Sequence, residues 1–299
     1  MKAGGALRDS LFTALAPAVW GSTYLVTTEL LPPDRPLLAS VVRALPAGLL
    51  LVAVGRALPR GMWWWRTAIL GILNIGAFFY FLFVAAYHLP GGVAALVMTV
   101  QPMLVLVLGA GLLGARIQAV HIVSCVLGAL GVGLLVLQPH AALDFVGVVA
   151  GLAGAASMAT GLVLTKRWGR PEGVGVLTFT GWQLTVGGVV LLPFMLAGEG
   201  LPKTITVENI SGFLYLSVIG ALLAYAVWFR GIEKLPALAV SFLSFASPLA
   251  ATVLGYVVLG QTLSVLQLLG AVVVIAAVIL AQPIWMRRAA VDGRARVST

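Results

Sequence analysis

Residues 89–114 read LPGGVAALVMTVQPMLVLVLGAGLLG, and residues 235–260 read LPALAVSFLSFASPLAATVLGYVVLG. A Leu-Pro start, a central proline and a closing glycine recur at one shared offset. Leu89, Pro102 and Gly114 are each followed 146 residues later by Leu235, Pro248 and Gly260. Between these marks runs an apolar segment long enough to cross a hydrocarbon core. A proline-interrupted apolar helix repeated at constant offset is the trace of a duplicated transporter half, because two such copies build one site at their common interface.

The rest of the chain has the same character. Of its 299 residues 61% are hydrophobic and 9% charged, and the mean hydropathy is +1.09, far outside the soluble globular range. Apolar spans of membrane-crossing length are expected at about 11–31, 37–55, 66–86, 91–113, 118–137, 145–165, 174–197, 210–231, 236–259 and 263–286. Short connectors such as PPDRP, LPGG and GARI force neighbouring helices to run antiparallel. The apolar runs are continuous rather than alternating, which speaks against a β-barrel. The expected fold is an all-α polytopic membrane protein with ten transmembrane helices in two five-helix repeats, 11–137 and 145–286, followed by a cytoplasmic tail, 287–299.

Lys and Arg set the orientation. With a cytoplasmic N-terminus the inner side receives Lys2, Arg8, Arg56, Arg60, Arg66, Arg116, Lys166, Arg167, Arg170, Arg230, Lys234, Arg287, Arg288, Arg294 and Arg296, and the outer side only Arg35 and Lys203. This positive-inside bias places both termini in the cytoplasm of a bacterial-type inner membrane. Five spans per half is an odd number, so the second copy enters with opposite polarity. The charges agree: the connector around Tyr87-His88 is charge-poor and external, whereas Arg230 to Lys234 is charged and internal. An inverted pair of bundles offers alternating access by symmetry.

The same bias accounts for the net charge of +9 and pI near 10.3. The basic residues are dispersed over cytoplasmic rims, so anionic membrane lipids are the expected partners and nucleic acid is not. His88, His121 and His140 are far apart, and H-E-x-x-H and G-x-S-x-G are absent, which argues against an enzyme. The chain also lacks G-x-x-x-x-G-K-[ST], so it does not drive transport with ATP itself. A channel would show a filter or a ring of charge. The duplication points instead to one self-contained pathway in a monomer. Gly147 and Gly151 are read as close packing within the chain, Cys125 as a small core side chain, and the first apolar segment as a retained helix rather than a signal peptide. No metal and no cofactor are expected.

All nine acids, from Asp9 and Glu29 to Glu233 and Asp292, fall at tails, connectors or helix ends. A proton-coupled carrier usually keeps an ionisable group inside the bilayer. A facilitator is therefore the simpler expectation. Arg43 is the one charge well inside a span, with two readings: counter-ion for a substrate oxyanion, or a side chain that snorkels or ties neighbouring carbonyls. The second is favoured. Pro102 and Pro248 are expected to bend their helices and free the carbonyls of Met98 and Ser244.

Neutral polar and aromatic residues surround those bends. Thr99, Gln101, Ser241, Ser244 and Ser247 flank the prolines; Asn74, Ser157, Thr160 and Gln183 lie in other spans. Phe78 to Phe81 crowd the third span, and Tyr225, Trp228 and Phe229 the eighth. Trp63 to Trp65 read as an interfacial anchor.

WGSTY at 20–24, Arg43 early in the second span, AYAVWF at 224–229 and the paired Leu-Pro helices with Gly ends together resemble the ten-helix EamA-type exporters of the drug/metabolite transporter superfamily. The resemblance covers about residues 11–286 and most nearly approaches the YddG-type aromatic amino acid exporters. It implies export from the cytoplasm. Two departures narrow it: Ala115 and Gln261 stand where the family often has Glu after the Gly, and Thr99 and Gln101 stand where that subgroup can carry aromatics, which widens the expected amino acid range.

The expected site lies between spans one, three, four, six, eight and nine. Trp20, Phe78, Phe79 and Tyr225 form its apolar walls, Thr99, Gln101 and Ser244 orient the polar end, Asn74, Met98 and Ser157 complete the lining, and Pro102 and Pro248 act as hinges. A cavity of rings and neutral polar groups suits large neutral and aromatic amino acids. The alternative is a proton-coupled exporter of drugs or other small metabolites.

Overall fold

The computed structural model describes residues 3–89, 91–136, 144–260 and 264–281. Pro90, His140, Gln261, the tail 287–299 and the ends of the spans expected at 118–137 and 263–286 lie outside the described residues. Among the described residues all regular structure is helical. Seven runs are long and apolar enough to cross a membrane: Pro36–Gly55, Trp63–His88, Val93–Leu113, Phe145–Trp168, Val176–Glu199, Val207–Lys234 and Ala237–Val258. Ala119–Leu134 and Val265–Leu280 are shorter apolar helices. The protein is a polytopic all-α membrane protein.

The helices are α1 (Ala3–Trp20), α2 (Thr23–Leu30), α3 (Pro36–Gly55), α4 (Trp63–Gly71), α5 (Phe78–His88), α6 (Gly91–Met98), α7 (Gln101–Leu113) and α8 (Ala119–Val136). After the linker come α9 (Phe145–Trp168), α10 (Val176–Phe194), α11 (Val207–Ser217), α12 (Ala224–Lys234), α13 (Ala237–Leu243), α14 (Ala246–Leu259) and α15 (Val265–Leu280). Wide π-helical turns, Ile72–Ala77 and Val218–Leu223, join α4 to α5 and α11 to α12. These two turns are themselves 146 residues apart. The same offset links the helix ends at Gly114 and Gly260, each with φ 64°, a left-handed cap that an L side chain resists.

Two sequence expectations are corrected here. The first span is not one helix from residue 11: α1 starts at Ala3 and stops at Trp20, where Gly21 donates to the carbonyls of Pro17 (3.0 Å) and Ala18 (3.2 Å) in a tightened turn before α2. Asp9 is not in a tail but buried within α1. There Arg230 Nη2 lies 3.1 Å and Lys234 Nζ 3.8 Å from its carboxylate, offsetting the loss of water.

α3 and α10 pack antiparallel along their length, Leu45 beside Gly188 and Leu51 beside Gly181. At one end of this pair the Glu199 carboxylate accepts from Leu37 N (2.7 Å) and Leu38 N (2.8 Å), satisfying the open N–H groups of α3. Asp144 caps α9, accepting from Gly147 N at 3.1 Å; that bond, with His88 nearby, holds its carboxyl below the usual carboxylate range. Gly147 and Gly151 face Leu89 and Val97, so their close packing is within the chain. Outward-facing residues such as Val107, Leu130 and Val257 are apolar and exposed, as a lipid-facing surface requires.

Candidate functional site

Each break at a proline sets polar side chains into the bundle. α6 ends at Met98 and α7 begins at Gln101, while α13 ends at Leu243 and α14 begins at Ala246. Across the gaps the backbone tightens, Thr99 N donating to Leu96 O, Val100 N to Val97 O, Ser244 N to Ser241 O and Phe245 N to Phe242 O. Pro102 and Pro248 therefore sit in the first turn of a new helix, where a missing N–H costs nothing, rather than inside a bent one. The Ser244 carbonyl, expected to be free, accepts from Ser247 N at 3.0 Å. Thr99 and Ser244 donate their hydroxyls to Leu96 O and Ser241 O, leaving the oxygen lone pairs for a ligand.

Between these breaks, α1 and α5 lies a cavity of about 60 Å³. Of the residues anticipated from sequence, Trp20, Phe78, Met98, Thr99, Gln101, Ser244 and Pro248 line it. Tyr24, Arg43, Leu82, Met158, Trp228, Phe245 and Ser247 line it as well. Tyr24 lies one turn beyond Trp20, a spacing that could have marked it. Met158 and Leu82 carried no sequence signal apart from hydrophobicity.

Phe79, Tyr225, Asn74, Ser157 and Pro102 do not line the cavity; the first four form the layer behind it. The rings interlock, with centroids 4.8 Å apart for Trp20 and Tyr225, 5.1 Å for Trp20 and Trp228, and 5.5 Å for Phe79 and Tyr225. Asn74 Nδ2 donates to Thr165 Oγ1 (3.0 Å) and Gln183 Oε1 (2.8 Å), tying three helices. Ser157 Oγ donates to Leu73 O at 2.8 Å, and the Tyr225 hydroxyl to Asn74 O at 3.4 Å.

The π turns explain these backbone acceptors. A widened turn disturbs the regular ladder and presents carbonyls to side chains. In Val218–Leu223 the Gly220 carbonyl accepts from Trp20 Nε1 (2.9 Å) and Arg43 Nη2 (3.1 Å); in Ile72–Ala77 the carbonyls of Leu73 and Asn74 accept from Ser157 and Tyr225. Each half thus supplies acceptors to donors from the other.

Arg43 is 1% exposed and does not snorkel. Beyond Gly220 it donates to Thr23 Oγ1 at 3.3 Å, and its guanidinium lies 4.5 Å from the Phe79 ring centroid and 5.8 Å from that of Phe83. Among the described residues no carboxylate pairs with it.

A second cavity, about 390 Å³, lies beside Val105 to Leu113 and Pro236 to Ala239, with Arg116, His121 and Lys166 on its wall. Lys166 Nζ closes one side by donating to the carbonyls of Ile232 (2.7 Å), Glu233 (3.1 Å) and Leu235 (2.9 Å), the open end of α12. Lys166→Met is expected to lower the melting temperature in detergent by about 2–4 °C, the shift given by about 1 kcal/mol in a large domain. An unchanged melting curve would show that these bonds are replaced by water at no cost.

The family profile described as "EamA-like transporter family" matches residues 9–137 and again 145–281. Protein PecM of Dickeya dadantii is 50% identical over 273 residues, covering 91% of this chain and 92% of that protein. A probable amino-acid metabolite efflux pump of Salmonella typhimurium is 27% identical over 290 residues, covering 90% and 93%. A solved crystal structure superposes with a TM-score of 0.74 at 19% identity, covering 93% of this chain and 99% of that one, and shows the fold alone. Two matches to the profile that together take in most of the chain, with half-identity to PecM along nearly its whole length, establish that this protein belongs to the EamA-like transporter family of the drug/metabolite transporter superfamily.

Proposed function

We propose that the protein exports amino acids, large neutral and aromatic ones favoured, by alternating access and without proton coupling. The observation that carries this reading is the central cavity: indole and phenyl walls from Trp20, Phe78 and Trp228, neutral polar groups from Thr99, Gln101 and Ser244, and no carboxylate in the lining. A proton-coupled carrier of cations would keep an acid there. The Salmonella relative, by name a probable amino-acid metabolite efflux pump, supports the substrate class.

In this reading residues 11–137 and 145–286 are two inverted five-helix repeats spanning the inner membrane ten times. Both termini face the cytoplasm, and the molecule works as a monomer among anionic lipids. The recurrence of π turns, helix breaks and glycine caps in the two halves supports the repeat. At about 60 Å³ the cavity is far below the roughly 300–1,000 Å³ of ligand pockets, so this state is constricted and must widen to load. Rocking at the breaks before Pro102 and Pro248 supplies the movement. Phe79, Tyr225, Asn74 and Ser157 act from behind the wall, holding Trp20 and the π turns in place.

Uptake of radiolabelled Trp, Phe, Met, Thr and Glu into liposomes holding the purified protein tests this directly. Flux of Trp, Phe and Met above Thr and Glu, equal with and without a pH gradient, is expected. Flux of a cationic drug that requires the gradient, with none of amino acids, would move the assignment to a proton-coupled exporter.

A further inference from the structure

The central cavity contains an imbalance of hydrogen-bonding groups. Arg43 Nε, Gln101 Nε2 and Trp228 Nε1 are all buried nitrogens with no acceptor, and all three residues line this one cavity. A guanidinium and an indole can only donate, so each requires an acceptor; the Gln101 amide can turn to offer either end. A donor left buried and unmade loses its bonds to water with nothing in return. Such a cluster in a membrane bundle, where water is scarce, is unfavourable unless something with acceptors completes it.

Charge points the same way. Arg43 brings a full positive charge into the bundle, softened only by the Phe79 ring face, the Gly220 carbonyl and the Thr23 hydroxyl. A buried charge without a counter-ion is among the costliest features a fold can hold. Nothing in the lining is negative. A cationic ligand would add like charge at short range in a medium of low dielectric constant, whereas an anionic group would cancel Arg43 and accept from all three donors.

We propose that the cavity selects its substrate by a carboxylate, received by Arg43, Trp228 and Gln101, with the apolar body lying against Trp20 and Phe78. Arg43 and Trp228 are then specificity-determining residues, and the carboxylate, rather than an ammonium, is the group the protein recognises. The inference rests on this cavity being the transport site, as in the reading above. It extends that reading to apolar carboxylic acids that have no amino group at all.

Three probes separate the possibilities: phenylalanine, phenylalaninamide, which lacks the carboxylate, and 3-phenylpropionate, which lacks the ammonium. Each is offered to the full-length protein in liposomes for flux, and in detergent for binding by quenching of tryptophan fluorescence. The wild type is expected to favour phenylalanine and 3-phenylpropionate over the amide by about tenfold or more, the worth of a hydrogen bond to a charged group. Arg43→Gln should bring that preference close to one, Arg43→Lys should restore part of it, and Trp228→Phe, which keeps an aromatic ring, should weaken both acids about tenfold while sparing the amide. A purely structural Arg43 would instead lower all three fluxes together. Should Arg43→Gln fail to fold, Trp228→Phe and the wild-type probe series decide alone.

Amide and acid handled equally by the wild type would overturn the proposal and leave amino acid export standing through the ammonium. Movement of 3-phenylpropionate without phenylalanine would uphold carboxylate selection and overturn the amino acid assignment. If none of the three binds or moves, both fall.

Discussion

Gly21→Val is expected to abolish transport and to leave little folded protein. Gly21 occupies the turn between α1 and α2, and a Cβ there would strike the Ser247 carbonyl oxygen, lie 2.8 Å from Ala250 Cβ and 2.9 Å from Ala251 N. Two of these three are backbone atoms of α14, so the clash is relieved only by pushing that helix away. Overpacking of a core typically costs 1–3 kcal/mol, and here the displaced helix also carries the cavity wall at Ser247 and Pro248. Trp20, on the adjoining residue, would lose its register against Tyr225 and Trp228. Gly21→Ala, with the same Cβ but no branches, should fold poorly and transport slowly. The check is yield of monodisperse protein in detergent, melting temperature and liposome flux; a Gly21→Val protein that is folded and fully active would show that α1 and α14 can separate freely.

Asn74→Leu should destabilise the bundle by about 2–4 kcal/mol, the combined cost of orphaned polar groups and poor shape fit. Asn74 is 1% exposed, and its amide donates to the hydroxyl of Thr165 and the side-chain Oε1 of Gln183. Gln183 already has an unpartnered Nε2, so loss of Asn74 would also strip its Oε1 of the Asn74 hydrogen bond. Leucine would also press on Gly161, which lies against the Asn74 side chain. Replacing the second partner tests the cause. In Asn74→Leu/Gln183→Leu the orphaned amide is gone, and much of the lost stability should return, giving a coupling energy on the order of 1–2 kcal/mol between the two sites. Strict additivity of the two melting shifts would mean that the hydrogen bonds are irrelevant and only packing matters. Transport by the single variant, measured per folded molecule, should fall less than its yield, since Asn74 stands behind the cavity.

The sequence made the membrane class legible because lipid imposes a simple rule: long apolar stretches must be helices. The echo between the two halves was legible because Leu-Pro, Pro and Gly marks are conformationally demanding and return at one common offset. Aromatic residues at Trp20 and Phe78 and polar ones at Thr99, Gln101 and Ser244 could be anticipated in the lining, since they flank the breaks or interrupt apolar spans. The role of the prolines was only half visible. Their positions showed where regular helix fails, but whether the chain bends or restarts depends on local hydrogen bonds such as Ser247 N to Ser244 O.

What the residues determine alone is therefore the class of fold, the approximate spans, the distribution of charge and the two-fold echo in the chain, all properties of local composition and spacing. Tertiary structure decided the rest. A π turn at Ile72–Ala77 or Val218–Leu223 has no residue signature, because its widened backbone is stabilised by side chains from distant helices. Arg43 reads from sequence as a charge inside a span that snorkels or ties neighbouring carbonyls; only the packed bundle sets it over Phe79, against the Gly220 carbonyl and beyond reach of solvent. Arg43, Gln101 and Trp228, each with an unfilled donor, come from three separate helices, and their meeting around one cavity is a fact of helix packing that no local pattern encodes.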